Sequence, residues 1–181
     1  KESSWEVVET PRFFEVMLKG KHYTASPLLS SRICGICSIA HCLTSLEATE
    51  DAFGITIPEQ AAKLRRLAKQ GGTPQSHVLH LFFLSAPALL RFPSVIPLIA
   101  THPELVDLAK RLKGLSNRLC DLVAGRTTHP VAFCVGGVSM VPSHEKMLGI
   151  RDELVRSMED LKTVVEVFSS FEIPAFVRET E

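Results

Sequence analysis

Six leucines recur at alternating spacings of three and four residues along the stretch from Pro103 to Ala124. Side chains at this spacing share one face of an α-helix, so the stretch is predicted to form a long helix that ends at Gly125. A second apolar stripe begins after Ser143, a residue type suited to cap a helix, and it predicts another long helix reaching Phe168. Long helices with apolar faces favour a mainly α, bundle-like fold with short β or loop segments. The six leucines are Leu105, Leu108, Leu112, Leu115, Leu119 and Leu122.

Prolines and glycines divide the rest of the chain into shorter segments. Proline suits the first turn of a helix and glycine suits the residue after its end, so each indicates a boundary. The predicted elements are a strand at 5–10, helices at 12–18, 38–53 (closed by Gly54), 58–70 (before a break at Gly71-Gly72) and 75–85 (stopped by Pro87), a buried proline-rich linker at 93–103, a loop or short hairpin at 126–139, and an end to the last helix at Glu172-Ile173-Pro174.

The composition describes a single globular domain over residues 1–181, because 45% of the residues are hydrophobic and 22% are charged. Twenty basic and twenty acidic residues give a formal net charge of zero, which argues against a nucleic-acid partner. The five cysteines are an odd number and no secretory pattern opens the chain, so a reducing, cytoplasmic compartment is expected. The most apolar stretch, 78–100, contains His80, Arg91 and three prolines, which argues against a membrane span.

Two cysteines three positions apart occur in the sequence Arg32-Ile33-Cys34-Gly35-Ile36-Cys37, and His41 follows four residues later. A bare Cys-x-x-Cys pair fits half of a zinc site, a redox dithiol or a chance spacing. The glycine permits a tight turn that lets both sulfurs face one point, and the thiolate is the form of cysteine that binds a metal. Cys34 and Cys37 are therefore interpreted as two ligands of a metal centre. A zinc site would need two further ligands, and the chain has no second Cys-x-x-Cys.

This stretch resembles the RxCGxCxxxH signature near the amino end of the large, catalytic subunit of nickel-iron hydrogenases. Three further blocks follow the order of that family. They are Pro11–Glu15, similar to its R-G-F-E segment with Phe13 in place of the usual glycine; Ser76–His80, similar to a helical S-H-x-L-H stretch; and Gly125–Phe133 with Gly136-Gly137, similar to GRxxHPxxxxxGG. The resemblance implies the helical core of the hydrogenase large subunit and an enzyme that reversibly oxidises dihydrogen to protons and electrons.

The resemblance also implies a role for each candidate site residue. Cys34 corresponds to a terminal nickel thiolate and Cys37 to a thiolate bridging nickel and iron, with cyanide and carbonyl ligands on the iron. His41 is expected to donate a hydrogen bond near the bridging thiolate, and Arg32 to neutralise thiolate charge or bind a carboxylate. Glu15, 19 positions before Cys34, corresponds to a ligand of magnesium or a similar ion. The implied partners are an iron-sulfur small subunit, maturation proteins and dihydrogen.

Simpler interpretations stay open for several of these residues. His41 also fits a core histidine, Arg32 a structural ion pair, and Glu15 an exposed helix carboxylate. His129 fits a position beside the active-site cavity and a purely structural position equally well. Two further histidines and three further cysteines are interpreted as core residues: His77, His80, Cys42, Cys120 and Cys134.

The chain carries half of the ligand set of the family it resembles. No cysteine follows Cys134, whereas the family has a Cys-x-x-Cys-x-x-His motif near its carboxyl end, and its upstream E-G-H segment is also missing. The chain is therefore interpreted as a central fragment of a longer large subunit, inactive alone and without an intact metal centre. Two alternatives are a related nickel-free subunit of a quinone reductase or membrane complex, which usually lacks the cysteine pair, and a scaffold protein with a zinc-type dithiol.

Overall fold

The computed structural model describes residues 4–8 and 12–172, and helices make up most of this part of the chain. The mainly α fold class is thus confirmed. Its α-helices are α1 (Phe13–Leu18), α2 (Ser26–Ser30), α3 (Ser38–Phe53), α4 (Glu59–Leu79), α5 (Ala86–Leu89), α6 (Ile96–Thr101), α7 (Pro103–Ala124), α8 (His144–Arg156) and α9 (Met158–Ser170), with a 3-10 turn at Tyr23–Ala25 and a π-helical segment at His80–Ser85.

A two-stranded antiparallel hairpin is formed by β1 (Phe133–Cys134) and β2 (Gly137–Val138). Phe133 pairs with Val138 and Cys134 pairs with Gly137, inside the segment predicted to be a loop or short hairpin. Two helices also have their predicted bounds, since α3 begins after Cys37 and α7 ends before Gly125. The residue after α3, Gly54, adopts a left-handed φ of 66° and its N–H donates to the Asp51 carbonyl, as expected of a helix-ending glycine.

The predicted break at Gly71-Gly72 is wrong, because α4 continues through both glycines and through Pro74. A glycine inside a helix costs about 1 kcal/mol relative to alanine, which packing readily offsets. Here Gly72 packs beside α3 with room for a small side chain, since a Cβ added to Gly72 would lie at an ordinary contact distance of 3.8 Å from Ile39 Cδ1. Helical backbone then continues past the predicted stop at Pro87, which occupies the first turn of α5, where proline is tolerated.

The predicted strand at 5–10 is not formed over 5–8, and Trp5 and Val8 are 89% and 90% exposed. A strand needs a neighbour to pair with and an apolar face to bury, and these residues have neither. The buried linker predicted at 93–103 contains α6, which buries Leu98 and exposes Ile96 and Ile99. Residues 9 and 10 of the predicted strand, and residues 173 and 174 of the predicted helix stop, lie outside the described residues.

The last predicted helix is divided into α8 and α9 by Ser157. The Ser157 hydroxyl donates to the Leu154 carbonyl at 2.8 Å, a local bond that competes with regular helix geometry. Ser143 precedes α8 in an extended conformation, but its side chain makes no capping hydrogen bond. The apolar stripe is therefore helical and Ser143 occupies its N-cap position, as predicted, whereas the stripe is divided between two helices.

The chain divides into two compact units, whose boundaries fall within α4, within α7 and between residues 142 and 143. The first unit comprises 1–72 and 120–142, and the second comprises 73–119 and 143–181. This division does not test the prediction of a single domain over 1–181, which therefore stays a prediction. In the first unit, the buried apolar residues come from α3, α4, the end of α7 and the hairpin region: Ile39, Cys42, Leu43, Leu46, Ala61, Leu64, Ala68, Cys120, Val123, Ala124, Ala132 and Phe133.

The second unit has a hydrophobic cluster built from α4, the π-helical segment, α7 and α9. Its buried members are Val78, Phe82, Leu105, Leu108, Ala109, Leu112 and Val164. Phe82 meets Phe168 edge to face, with ring centroids 5.4 Å apart. Ion pairs from Arg111 to Asp160 and from Arg118 to Glu153 join α7 to the helices that follow the hairpin. Among the described residues, no helix combines the length and the apolar character needed to cross a bilayer.

Candidate metal centre

The two cysteines of the motif lie in the segment 32–37, which connects α2 to α3. Ser31 is the C-cap of α2, and the backbone N–H of Arg32 donates to the Leu29 carbonyl at 3.0 Å. Cys37 is the N-cap of α3, so its side chain projects from the start of that helix. Because a helix adjoins each end of the segment, the backbone between them is held in one short turn.

The turn joins the two cysteines through a hydrogen bond. The Cys37 backbone N–H donates to Cys34 Sγ at 3.4 Å. Hydrogen bonding from the side chain and the backbone of Cys37 lowers the pKa of Cys34, against the opposing effect of burial. The pKa of Cys37 is raised, because its proton is held by Cys34 and because burial and the charge of Cys34 oppose its ionisation. The pair therefore ionises first at Cys34, which produces the thiolate that a metal requires.

The cysteine turn is accessible to solvent. Cys37 is exposed and Cys34 is half-buried, while Ile33 and Ile36 are 41% and 47% exposed. Gly35 does not have a left-handed φ, and a Cβ added to it would lie 3.7 Å from Thr128 Cγ2, an ordinary contact. The turn thus does not depend on a backbone conformation that only glycine adopts freely, contrary to the argument from sequence.

His41 and Arg32 flank the turn without contacting the thiols through hydrogen bonds. His41 lies one turn into α3, where its backbone N–H donates to the Cys37 carbonyl at 3.2 Å and its half-buried side chain lines an apolar groove with Leu18 and Phe53. Arg32 is exposed. Within the described part of the chain, neither the His41 ring nor the Arg32 guanidinium has a hydrogen bond to Cys34 or Cys37. Their predicted roles stay predictions.

Glu15 lies on α1 and is not brought into a cluster of ligands with the thiols. Its carboxylate accepts a hydrogen bond from Arg12 Nε at 2.8 Å, and the side chain is 64% exposed. Across residues 4–8 and 12–172, no group of three or more His, Cys, Asp or Glu side chains is placed to hold a metal ion. Cys34 and Cys37 fit two soft ligands of one metal, since they lie in one short turn joined by the bond from the Cys37 N–H to Cys34 Sγ. The described residues complete no metal site around them.

A buried ion pair between Glu50 and Arg65 was not found by the sequence analysis. The guanidinium holds the carboxylate in two parallel hydrogen bonds of 2.8 and 2.7 Å, and it also donates to the carbonyls of Cys134 and Gly137. The Gly136 N–H donates to Glu50 Oε1 at 2.8 Å. Together these bonds connect α3, α4 and the hairpin. The available signal was a glutamate on the apolar stripe of α3, which suggests a buried partner.

The five residues interpreted as core residues divide into two groups. Cys42 and Cys120 are buried as predicted, and burial raises the pKa of Cys42 to about 11 despite the opposing charge of Arg65. The prediction is wrong for Cys134, His77 and His80, which are exposed. In β1 the buried neighbour is Phe133, and alternation along a strand directs Cys134 to the other face. His77 and His80 lie on a different helical face from the buried Val78.

Comparison with known proteins supports the identification of this chain. The family model described as nickel-dependent hydrogenase matches residues 12–95, which include the cysteine turn. Sulfhydrogenase 2 subunit alpha from Pyrococcus furiosus is 37% identical over 179 residues, covering 99% of this chain and 43% of that protein. The periplasmic NiFeSe hydrogenase large subunit from Desulfomicrobium baculatum is 30% identical over 180 residues, covering 87% of this chain and 34% of that protein.

A solved structure gives the same result for the fold. The NAD+-reducing NiFe hydrogenase in its H2-reduced state superposes with a TM-score of 0.83 at 28% identity, covering 90% of this chain and 38% of that one. The fold and the cysteine turn define a mainly α protein with a candidate thiolate metal centre. The chain belongs to the nickel-dependent hydrogenase family, among the large or alpha subunits. It spans about two fifths of the length of the curated relatives that it matches.

Proposed function

We propose that Cys34 and Cys37 are two thiolate ligands of a nickel-iron centre in a protein that reversibly oxidises dihydrogen to protons and electrons. The observation that carries this proposal is the short turn before α3, in which the Cys37 backbone N–H donates to Cys34 Sγ at 3.4 Å. That turn lies within the segment matched by the nickel-dependent hydrogenase family. Soft thiolates are suitable ligands for nickel, and a thiolate can also accept a proton.

The two cysteines have different roles in this proposal. Cys34, the thiol with the lowered pKa, would hold nickel as a terminal thiolate, and Cys37, at the N-cap of α3, would be a ligand of both nickel and iron. When bound, the centre, with cyanide and carbonyl on its iron, supplies the chemistry that splits dihydrogen heterolytically. The chain itself orients the two sulfurs, and each sulfur is a place where a released proton can be held.

Arg32 and His41 tune the charge and the basicity of the sulfurs in this account. Arg32 is an exposed cation two residues before Cys34, which supports a role in neutralising thiolate charge. His41 follows Cys37 by one helical turn, which supports a hydrogen bond from its ring to the bridging thiolate once a metal organises the turn. Both residues act through the cysteines.

Glu15 is proposed as one ligand of magnesium or a similar hard cation. Its carboxylate is exposed and is paired with Arg12 in a surface ion pair, an interaction that typically contributes only about 0–1 kcal/mol. A divalent cation can displace such a pair, since hard cations bind carboxylate oxygens strongly. The other ligands of this ion would come from outside the described residues.

The remaining parts of the proposal concern the whole protein. The other thiolates of the centre come from elsewhere in the protein, electrons pass to an iron-sulfur small subunit, and maturation proteins insert the metals. The compartment is the cytoplasm. A chain of these 181 residues alone is expected to show no hydrogenase activity, because two thiolates do not hold a bimetallic centre.

The test is hydrogen-dependent dye reduction by the full-length protein assembled with its small subunit. Wild-type protein should reduce the dye, Cys37→Ser should reduce it at the background rate, and Cys134→Ser should match wild type. Cys134 is the matched control, because it is an exposed cysteine outside the turn. Dye reduction by Cys37→Ser at the wild-type rate, or by the 181-residue chain alone, would contradict the proposal.

A further inference from the structure

His129 is hydrogen-bonded to both ends of the segment that carries the two cysteines. Its backbone N–H donates to Ser38 Oγ at 2.9 Å, and its ring Nδ1 lies 2.9 Å from the Ser31 carbonyl oxygen. Ser31 immediately precedes the segment 32–37, and Ser38 immediately follows it. Both serines are 1% exposed. A single residue, 98 positions after Ser31 in sequence, therefore connects the two ends of the turn.

The backbone of His129 has an uncommon conformation that makes both bonds possible. Its φ is 58°, in the left-handed region, where residues other than glycine are rarely found. Such a conformation persists where the surroundings hold it in place, and it tends to mark functional positions. Here two hydrogen bonds to the residues that flank the cysteine segment accompany this conformation.

The ring bond also assigns the proton on the imidazole. A carbonyl oxygen only accepts hydrogen bonds, so Nδ1 of His129 must carry the hydrogen in the bond to Ser31. A replacement that lacks a side-chain donor cannot make this bond. The contact is therefore specific to a small set of residue types, and it is suitable for a test by substitution.

The residue before His129 lies near the middle of the turn. A Cβ added to Gly35, which lies between the cysteines, would be 3.7 Å from Thr128 Cγ2. Thr128 therefore lies beside the turn, and His129 is hydrogen-bonded to the residue on each side of it. A loop that is far from the cysteines in sequence thus packs along the segment that carries them.

We infer that His129 is a positioning residue for the dithiol, which holds Cys34 Sγ and Cys37 Sγ in an arrangement where both bind one soft metal ion. The inference deepens the proposed function and rests on it for the identity of the natural metal. The geometric part is independent of that identity, because any thiophilic cation needs both sulfurs at once. Cadmium is therefore a suitable probe.

The test measures cadmium binding at these two cysteines in the full-length protein purified without metals. Each protein is titrated with Cd²⁺, and alkylation of Cys34 and Cys37 is followed by peptide mass spectrometry, so that other cysteines do not contribute. In wild type, both thiols should become protected together. In His129→Gly, the backbone N–H and the left-handed conformation are retained and only the ring is lost. For this variant, the Cd²⁺ concentration that protects half of Cys34 and Cys37 from alkylation (half-protection) should rise about tenfold, as for other residues that orient metal ligands.

Two further variants separate positioning from a general effect on folding. His129→Asn should bring half-protection back to within about threefold of wild type, because asparagine tolerates a left-handed φ and its amide donates a hydrogen bond. His144→Ala removes an exposed histidine at the start of α8 and should leave the titration unchanged. If His129→Gly does not fold, Ser38→Ala removes one acceptor instead and should raise half-protection about threefold to tenfold.

The inference is overturned if His129→Gly reaches half-protection of the two thiols at the same Cd²⁺ concentration as wild type. If His129→Gly does not fold and Ser38→Ala is used in its place, the same result in Ser38→Ala overturns the inference. It is also overturned if His129→Asn loses as much affinity as His129→Gly. Failure of the proposed function gives a different result: cadmium protection would follow the pattern above while the wild-type protein contained no nickel and reduced no dye.

Discussion

Glu50 and Arg65 form an ion pair whose side chains are only 6% and 4% exposed. Two charges taken out of water are costly, and close hydrogen bonds between them offset that cost. Both members of the pair also bind the hairpin: the Arg65 guanidinium donates to the carbonyls of Cys134 and Gly137, and the Glu50 carboxylate accepts from the Gly136 N–H. The pair is therefore a structural link in the unit that carries the cysteine turn.

Replacing Arg65 with alanine should destabilise the protein by about 3–5 kcal/mol, since it leaves the carboxylate of Glu50 buried and unpaired. The neighbouring Arg66 is exposed, and Arg66→Ala should change stability by no more than about 0.5 kcal/mol. Urea unfolding of the two variants and of wild type measures both values. Equal stability of Arg65→Ala and Arg66→Ala would show that the buried pair does not stabilise this unit.

The same pair predicts how stability changes with pH. Burial opposes ionisation of Glu50, but the bonds from Arg65 and from the Gly136 N–H outweigh it, so the pKa of Glu50 lies below its ordinary value of 4.5. A carboxyl group whose pKa is lowered on folding stabilises the folded state fully at a pH above its unfolded-state pKa. That contribution is lost as the pH falls through its folded-state pKa.

The stability difference between wild type and Glu50→Gln should therefore be constant from neutral pH to about pH 5 and should shrink below it. Chemical unfolding across this range measures the difference. Glu47→Gln, at an exposed position on the same helix, is the control and should differ little from wild type throughout. The prediction would be contradicted if the stability difference between wild type and Glu50→Gln grew as the pH fell.

At the scale of the elements, α4 differs most from its prediction. The sequence shows Gly71, Gly72 and Pro74, which weaken a helix, and it does not show that Gly72 packs beside Ile39 of α3. The helices α3 and α7 were predicted with their bounds because apolar spacing and a closing glycine agree in each. The local sequence pattern was sufficient to predict the helix bounds where apolar spacing and glycine position agreed. In α4, tertiary packing determined that the helix continues past its glycines.

The same substitution at two glycines should have opposite effects on stability. At Gly72, inside α4, an alanine Cβ meets Ile39 at an ordinary 3.8 Å, so Gly72→Ala should stabilise by up to about 1 kcal/mol. At Gly125, after α7, the φ is 77° and a Cβ would lie 2.9 Å from Val131 Cγ2. Gly125→Ala should therefore destabilise by more than about 1 kcal/mol. Thermal or urea unfolding compares them, and a loss of stability in Gly72→Ala would contradict the packing described for α4.

At the scale of the whole molecule, the sequence predicted the family and the dithiol but not the contacts that support them. Cys34 and Cys37 were visible because the motif is local. The bond between His129 and Ser38 spans 91 positions, and the pair of Glu50 and Arg65 spans 15. Contacts of this kind leave no periodic pattern in a single sequence, because they are decided when separate segments pack.

The central claim is that the cysteine turn holds nickel and iron, and metal analysis of the full-length protein tests it most directly. Purified wild-type protein and Cys134→Ser should contain both metals, whereas Cys34→Ser and Cys37→Ser should contain neither at stoichiometric level, since each removes one thiolate ligand. Zinc alone in wild type, neither nickel nor iron in wild type, or full nickel and iron content in both Cys34→Ser and Cys37→Ser would contradict the claim.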